Sequence, residues 1–256
     1  MASLKRDDPR GKTVSFFVTC MIDTLHPETG MAAVEVLEHL GCKVVFPKGQ
    51  TCCGQPAFNG GYWHEARQVA EHYLDIFDDA EVIVTPSGSC ATMVIHEFPR
   101  LFTDDRERLT QAERLASITW EFTEFIVEGL GVTDLGGKLA EACNFAFHDS
   151  CHGLRHMGLK SAARTLVRNI ENAEVVELPA ADVCCGFGGL FSVKMSEISG
   201  AMLDEKTAAI CSTPAQVLGG DISCIVHING GLAKQHRGER MLHIADVLAR
   251  AIKQEG

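Results

Sequence analysis

Thr51-Cys52-Cys53-Gly54 and, 132 residues further along, Cys184-Cys185-Gly186 are the stretches whose reading decides the fold. The same order of features surrounds each. Ahead of the first, Thr13–Thr19 (TVSFFVT) is short, β-branched and aromatic, reads as a buried strand, and ends at Cys20. A helix follows over Glu28–Leu40, where Met31, Val34, Val36, Leu37 and Leu40 suit helical spacing and Gly41 stands at a helix stop. A second strand, Lys43–Phe46, runs into the vicinal cysteines. Trp63–Phe77 then predicts a helix, and Glu81–Thr85 a third strand just before Cys90.

The second copy repeats this order. Asn144–His148 predicts a strand, Cys151 follows it, Leu159–Ile170 predicts a helix and Glu174–Leu178 the next strand. Beyond Cys184-Cys185-Gly186 a helix is expected within Ser192–Ile210, Ile222–Val226 carries Cys224, and Leu242–Ile252 closes the chain as an amphipathic helix. Matched cysteines are offset by 131, 132 and 134 residues, too regular for chance. Alternating strands and helices with short connections predict an α/β fold of two pseudo-symmetric lobes, each a mainly parallel sheet flanked by helices. The expected limits are 1–103 for the first cysteine-rich lobe, 104–142 for a helical connection, and 143–256 for the second lobe.

At 256 residues the chain is long enough to bury cores without covalent staples. A net charge of −11, with no basic stripe, excludes a phosphate-neutralising nucleic-acid binder. No apolar run approaches the roughly 18 residues that span a bilayer, and the start, Met1–Lys12, is charged, so a cytoplasmic protein is expected. The eleven cysteines then read as reduced thiols with a metal or redox task rather than as a disulfide framework.

Loops at the carboxyl ends of parallel strands lie along one sheet edge, so the four thiols of each lobe can converge there. The candidate ligands are Cys20, Cys52, Cys53 and Cys90 in the first lobe, and Cys151, Cys184, Cys185 and Cys224 in the second. A vicinal pair is an awkward chelate for one tetrahedral ion, whereas its two sulfurs can reach different irons of a cluster. Gly54 and Gly186 would permit the backbone shape this needs. Thiolates suit iron–sulfur centres and zinc alike, although ligands spread over about 70 residues depart from the paired spacing of structural zinc sites. Cys42, Cys143 and Cys211 have no partner in the repeat and read as small apolar packing residues. His148 and His152 read as hydrogen-bonding neighbours or surface residues, and His227, three residues after Cys224, as the histidine most suited to be a ligand. Met93 holds the matching position in the first lobe and reads as core.

These motifs resemble the cysteine-rich CCG domain, present twice, of heterodisulfide reductase B subunits and of the iron–sulfur subunits of glycolate and glycerol-3-phosphate oxidising enzymes. Phe17-Val18-Thr19-Cys20, Cys52-Cys53-Gly54-Gln55-Pro56-Ala57, Pro86-Ser87-Gly88-Ser89-Cys90, Cys184-Cys185-Gly186-Phe187-Gly188-Gly189 and Phe191-Ser192-Val193-Lys194-Met195 are most similar to the lactate utilisation protein A family. That resemblance implies an electron-transfer subunit with one or two iron–sulfur clusters (4Fe-4S). It also implies companion subunits, a ferredoxin-like iron–sulfur protein and a third small protein, in a complex oxidising L-lactate to pyruvate. The heterodisulfide reductase pattern ends each motif in Cys-x-x-Cys, whereas here the last position is Met93 or His227. Three alternatives stay open: a thiol or disulfide reductase subunit, a glycolate oxidase iron–sulfur subunit, and a zinc-stabilised binding module without redox chemistry.

Overall fold

The computed structural model describes residues 6–253, so the first five residues of the charged start and the last three of the chain lie outside it. The first lobe opens with β1 (Val14–Phe16), α1 (Cys20–Leu25), α2 (Pro27–His39), β2 (Val44–Val45), α3 (Gln55–Asn59) and α4 (Trp63–Ile76). It continues with β3 (Val82–Thr85), α5 (Gly88–Thr92), α6 (Phe98–Leu101), α7 (Arg106–Ile118), β4 (Thr119–Glu121) and α8 (Phe122–Glu124). Wider π-helical turns, Met93–Glu97 and Phe125–Gly129, follow α5 and α8. The second lobe comprises β5 (Lys138–Phe147), α9 (Cys151–Met157), α10 (Ser161–Arg168), β6 (Glu171–Val175), α11 (Leu190–Lys194) and α12 (Ser196–Cys211). It ends with β7 (Gln216–Gly219), α13 (Ile222–Lys234), β8 (Leu242–His243) and α14 (Ile244–Ile252).

The α/β architecture read from the sequence is present: two four-stranded sheets, ordered β2-β1-β3-β4 and β6-β5-β7-β8, with parallel pairing throughout. Both sheets begin at an inner strand, step outward, and return across it, so each has a topological switch point beside its first strand. Three stretches behave differently from their local pattern. Ile222–Val226 opens a helix, and the strand ahead of Cys224 is Gln216–Gly219. Leu242–His243 forms an edge strand before the closing helix. The stretch expected as a helical connection contains α7 but also supplies β4, which pairs with β3 through Ile83, Val84 and Thr85. A three-residue strand gives periodicity too little to act on.

The alternation of β1 divides the interior. Val14 and Phe16 join a core shared with the second lobe, while Phe17 turns to a second cluster with Tyr73, Phe77 and Phe98. The lobes interlock by exchange: α2 packs on α14, the last helix of the second lobe, and α10 packs on α8 and the turn after it, the last elements of the first. At the seam, His243 accepts from the Ala245 amide and its other ring nitrogen lies 3.1 Å from the Pro86 carbonyl of the opposite lobe. Glu121 repeats this role. Its carboxylate accepts from the amides of Thr123 and Glu124 at 2.8 and 3.1 Å and abuts Gly220 of the opposite lobe.

Burial raises the Glu121 carboxyl to about 7, from an ordinary 4.5. Between those values the folded chain binds the proton and the unfolded chain does not, so stability falls as pH rises through this window, by on the order of 3 kcal/mol. Glu121→Gln keeps the capping oxygen and removes the titration. Urea denaturation from pH 4.5 to 7.5 is expected to give a wild-type curve that declines against that of the variant, and parallel curves would remove Glu121 as the source.

Candidate metal centre

Each cysteine is delivered by a turn that follows a strand. Cys20 starts α1 four residues after β1 ends, and Cys90 lies in α5 after β3, the strand on the far side of the switch point. Cys151 and Cys224 hold the same positions after β5 and β7. Ser87 caps α5 by accepting from the Cys90 amide at 3.3 Å, and Asp221 caps α13 by accepting from the Ser223 amide at 3.2 Å. The second oxygen of Asp221 crosses to the other lobe and accepts from the Ser89 amide at 2.8 Å, tying the two cysteine-bearing helices together.

The vicinal pairs sit in turns closed by glycine. Gly54 and Gly186 adopt φ of 81° and 90°, and each donates its amide to the first sulfur of its pair, Cys52 or Cys184, at 3.4 Å. At Gly186 a Cβ would stand 2.7 Å from the Ser199 carbonyl oxygen, whereas at Gly54 the nearest atom is a Val69 methyl at 3.3 Å. Thr19, just before Cys20, is held at φ 72° and ψ 149°, a region that normally needs glycine. Such strain costs about 1–3 kcal/mol and persists where the surroundings over-determine the backbone.

In both lobes the four sulfurs form one chain of contacts. In the first, the Cys20 and Cys53 thiols donate to Cys52, which is held as a thiolate down to about 3, and Cys53 also meets Cys90. In the second, Cys151 donates to Cys184, held down to about 2, Cys185 also meets Cys184, and the Cys185 thiol donates to Cys224 Sγ at 3.2 Å. The hydrogen bond from Cys185, and to a lesser degree the neighbouring His148 ring, lower Cys224 to about 7 against the opposing effect of burial. Cys53, Cys90, Cys185 and Cys224 are buried, while Cys20, Cys52, Cys151 and Cys184 are more open. All eight line one cleft between the lobes, a shared site that the repeat alone does not reveal.

Cys42, Cys143 and Cys211 lie away from this cleft and pack, half-buried, against the main core. Met93 is fully buried beside Cys53 and Cys90. His227 stands near the second quartet with Nε2 3.5 Å from Ser199 Oγ and its ring 5.7 Å from Phe187. The imidazole grouped with Cys185 and Cys224 is that of His148, whose nearest ring nitrogen and the two sulfurs lie within 4.8 Å of one another. Both His148 nitrogens are buried without a hydrogen-bond partner among the described residues. An orphaned donor set beside four converging sulfurs fits a thiolate-bound metal centre, since soft sulfur with an imidazole suits iron–sulfur clusters and zinc. Aligning the repeat would have drawn attention to His148, because its counterpart in the first lobe is Phe17.

The cysteine-rich domain family matches residues 14–95 and 145–229. Lactate utilization protein A of Anoxybacillus flavithermus is 48% identical over 236 residues, covering 92% of this chain and 98% of that protein. The protein of the same name from an Exiguobacterium species is 47% identical over 244 residues, 94% of this chain and 98% of its own. The one from Bacillus cytotoxicus is 46% identical over 236 residues, with coverage of 92% and 98%. A crystal structure of a hypothetical protein from Helicobacter pylori shares the fold, with a TM-score of 0.61 at 12% identity, over 98% of this chain and 51% of that one.

The two glycine turns differ in tolerance. Gly186→Ala forces a left-handed alanine against a backbone carbonyl and is expected to cost about 1–3 kcal/mol from the backbone conformation alone, with the clash in addition. Gly54→Ala meets only a movable valine methyl and should cost less. Chemical denaturation of the metal-free variants checks this order, and an equal or reversed cost would contradict it.

Proposed function

The chain belongs to the lactate utilization protein A family, and we propose that it is the iron–sulfur electron-transfer subunit of a cytoplasmic complex that oxidises L-lactate to pyruvate. The observation that carries this reading is the meeting of two like sulfur quartets on one cleft. Iron–sulfur clusters held by Cys20, Cys52, Cys53 and Cys90, and by Cys151, Cys184, Cys185 and Cys224, would supply one-electron steps there. The protein's own part is to orient and tune. Buried inner cysteines keep water from one side of each centre, and the Gly54 and Gly186 amides direct hydrogen bonds at sulfur, which favours the reduced form.

Oxidation of lactate to pyruvate releases two electrons and two protons, so a one-electron carrier takes the electrons singly from a companion that removes them. That role falls to the companion subunits, a ferredoxin-like iron–sulfur protein and a third small protein. No helix among the described residues is long and apolar enough to cross a membrane, which accords with an assembly off the bilayer. A second reading, a thiol or disulfide reductase, is favoured by the more open Cys20, Cys52, Cys151 and Cys184, which face the cleft and would leave one side of each centre within reach of a small molecule.

Iron and acid-labile sulfide analysis with electron paramagnetic resonance, on protein purified without oxygen, tests the proposal. Iron and sulfide are expected together, with part of both lost in Cys53→Ser and another part in Cys185→Ser. Zinc without sulfide would return the chain to a structural-metal role. The isolated subunit is expected to oxidise no lactate, and turnover by the pure chain would overturn the assignment to electron transfer; reduction of a small disulfide would favour the second reading.

A further inference from the structure

The internal repeat allows the two quartets to be compared residue by residue, and they differ where the buried cysteines rest. His148 follows the last residue of β5, and its amide donates to the Leu218 carbonyl at 2.9 Å. Phe17 follows the last residue of β1, and its amide donates to the Val84 carbonyl, also at 2.9 Å. The backbones are therefore in the same register, with an imidazole in one lobe and a phenyl ring in the other. Phe17 packs edge-on against Tyr73 at 5.0 Å, in the cluster that contains Cys53 and Cys90.

The neighbour on the following helix differs as well. Ala66 and Ser199 present their carbonyls to the equivalent glycines, Gly54 and Gly186, and Val69 and Met202 present side chains to the same two positions. This fixes the alignment of α4 with α12 and sets Tyr73 against Lys206. Lys206 is 1% exposed and donates from Nζ to the Ala180 carbonyl at 2.6 Å. Burial pulls its ammonium down from the ordinary value, opposed by the sulfurs of Cys185, Cys224 and Cys184 and by Asp182. One quartet is thus backed by aromatic rings and the other by nitrogen groups.

His148 is 3% exposed, and both its ring nitrogens are buried without a hydrogen-bond partner among the described residues, which is costly for a polar ring. Unlike Lys206, which finds a carbonyl, the imidazole stands beside the Cys185 and Cys224 sulfurs, a ring nitrogen and both sulfurs lying within 4.8 Å of one another. Coordination by one ring nitrogen relieves that nitrogen's share of the cost. We propose that the two lobes hold unlike metal centres: an all-thiolate centre backed by Phe17 and Tyr73, and a centre to which His148 gives a ring nitrogen alongside Cys185 and Cys224. This inference rests on the reading of the cleft as a metal site. A neutral imidazole and the buried Lys206 ammonium both favour the more negative, reduced state, so the second centre has the higher potential of the two.

The test uses whole protein purified without oxygen from cells fed nitrogen-15 histidine, read by electron–nuclear double resonance of the reduced centres, or by X-ray absorption should the metal be zinc. One directly bound histidine nitrogen is expected. It should vanish in His148→Phe, a change whose ring is already accommodated at Phe17, and survive in His227→Gln. A redox titration should resolve two potentials, with His148→Phe lowering only the higher one. Metal centres without a bound nitrogen, or a nitrogen lost in His227→Gln and retained in His148→Phe, overturn the proposal while leaving the metal reading intact. A chain that takes up no metal overturns both.

Discussion

The rest of the structure depends on the direction of its strands. Because every strand in each sheet runs parallel to its neighbours, every loop that leaves a carboxyl end emerges on the same edge, and the crossover order opens a crevice between the first strand and the third. Cysteines about 70 residues apart in sequence arrive in one place as a consequence, with no need for a dedicated binding loop. Strand direction does the gathering, and helix caps and glycine turns do the fine positioning. Asp221 shows how economical this can be, since one carboxylate caps its own helix and holds the amide of Ser89 across the cleft.

Much of this arrangement was legible from the order of residues, because the cysteine repeat and the apolar strands are local signals. The offsets between matched cysteines located the loops, and hydrophobic runs such as TVSFFVT located the central strands that feed them. What escaped was set by long-range packing. Nothing local marks Thr119–Glu121 as an edge strand, and nothing in one copy of the repeat says that its last helix will lie on the other lobe. The merging of two quartets into one cleft is a property of the lobe interface alone. His148 was visible as a residue near Cys151, but that its ring nitrogens have no hydrogen-bond partner among the described residues is something only burial reveals.

The likeness of the lobes throws their differences into relief. In the second, Arg164 forks onto Asp149 at 2.7 and 3.1 Å, both side chains almost wholly buried, which pins the turn between β5 and Cys151. The positions 131 residues earlier hold Ala33 and Val18, and the same turn is pinned there by apolar contact. A buried ion pair of this kind gives little net stability over a well-packed apolar pair, but it fixes geometry strictly. The second lobe therefore carries ionised and nitrogen-bearing groups in its interior where the first carries aliphatic and aromatic ones.

The exchanged helices bear on how such a molecule could arise. A single copy of the repeat would leave the outer face of its first long helix bare, and the surface that covers it belongs to the other copy. Two identical copies would bury both faces at once around a two-fold axis, through an isologous interface in which each gives the other the same helix. Such a homodimer could hold only identical sites, since any substitution appears on both sides of the axis. Joining the copies in one polypeptide keeps the mutual shielding and removes the symmetry from the sequence. That is the condition under which position 17 and position 148 became free to hold a phenylalanine and a histidine.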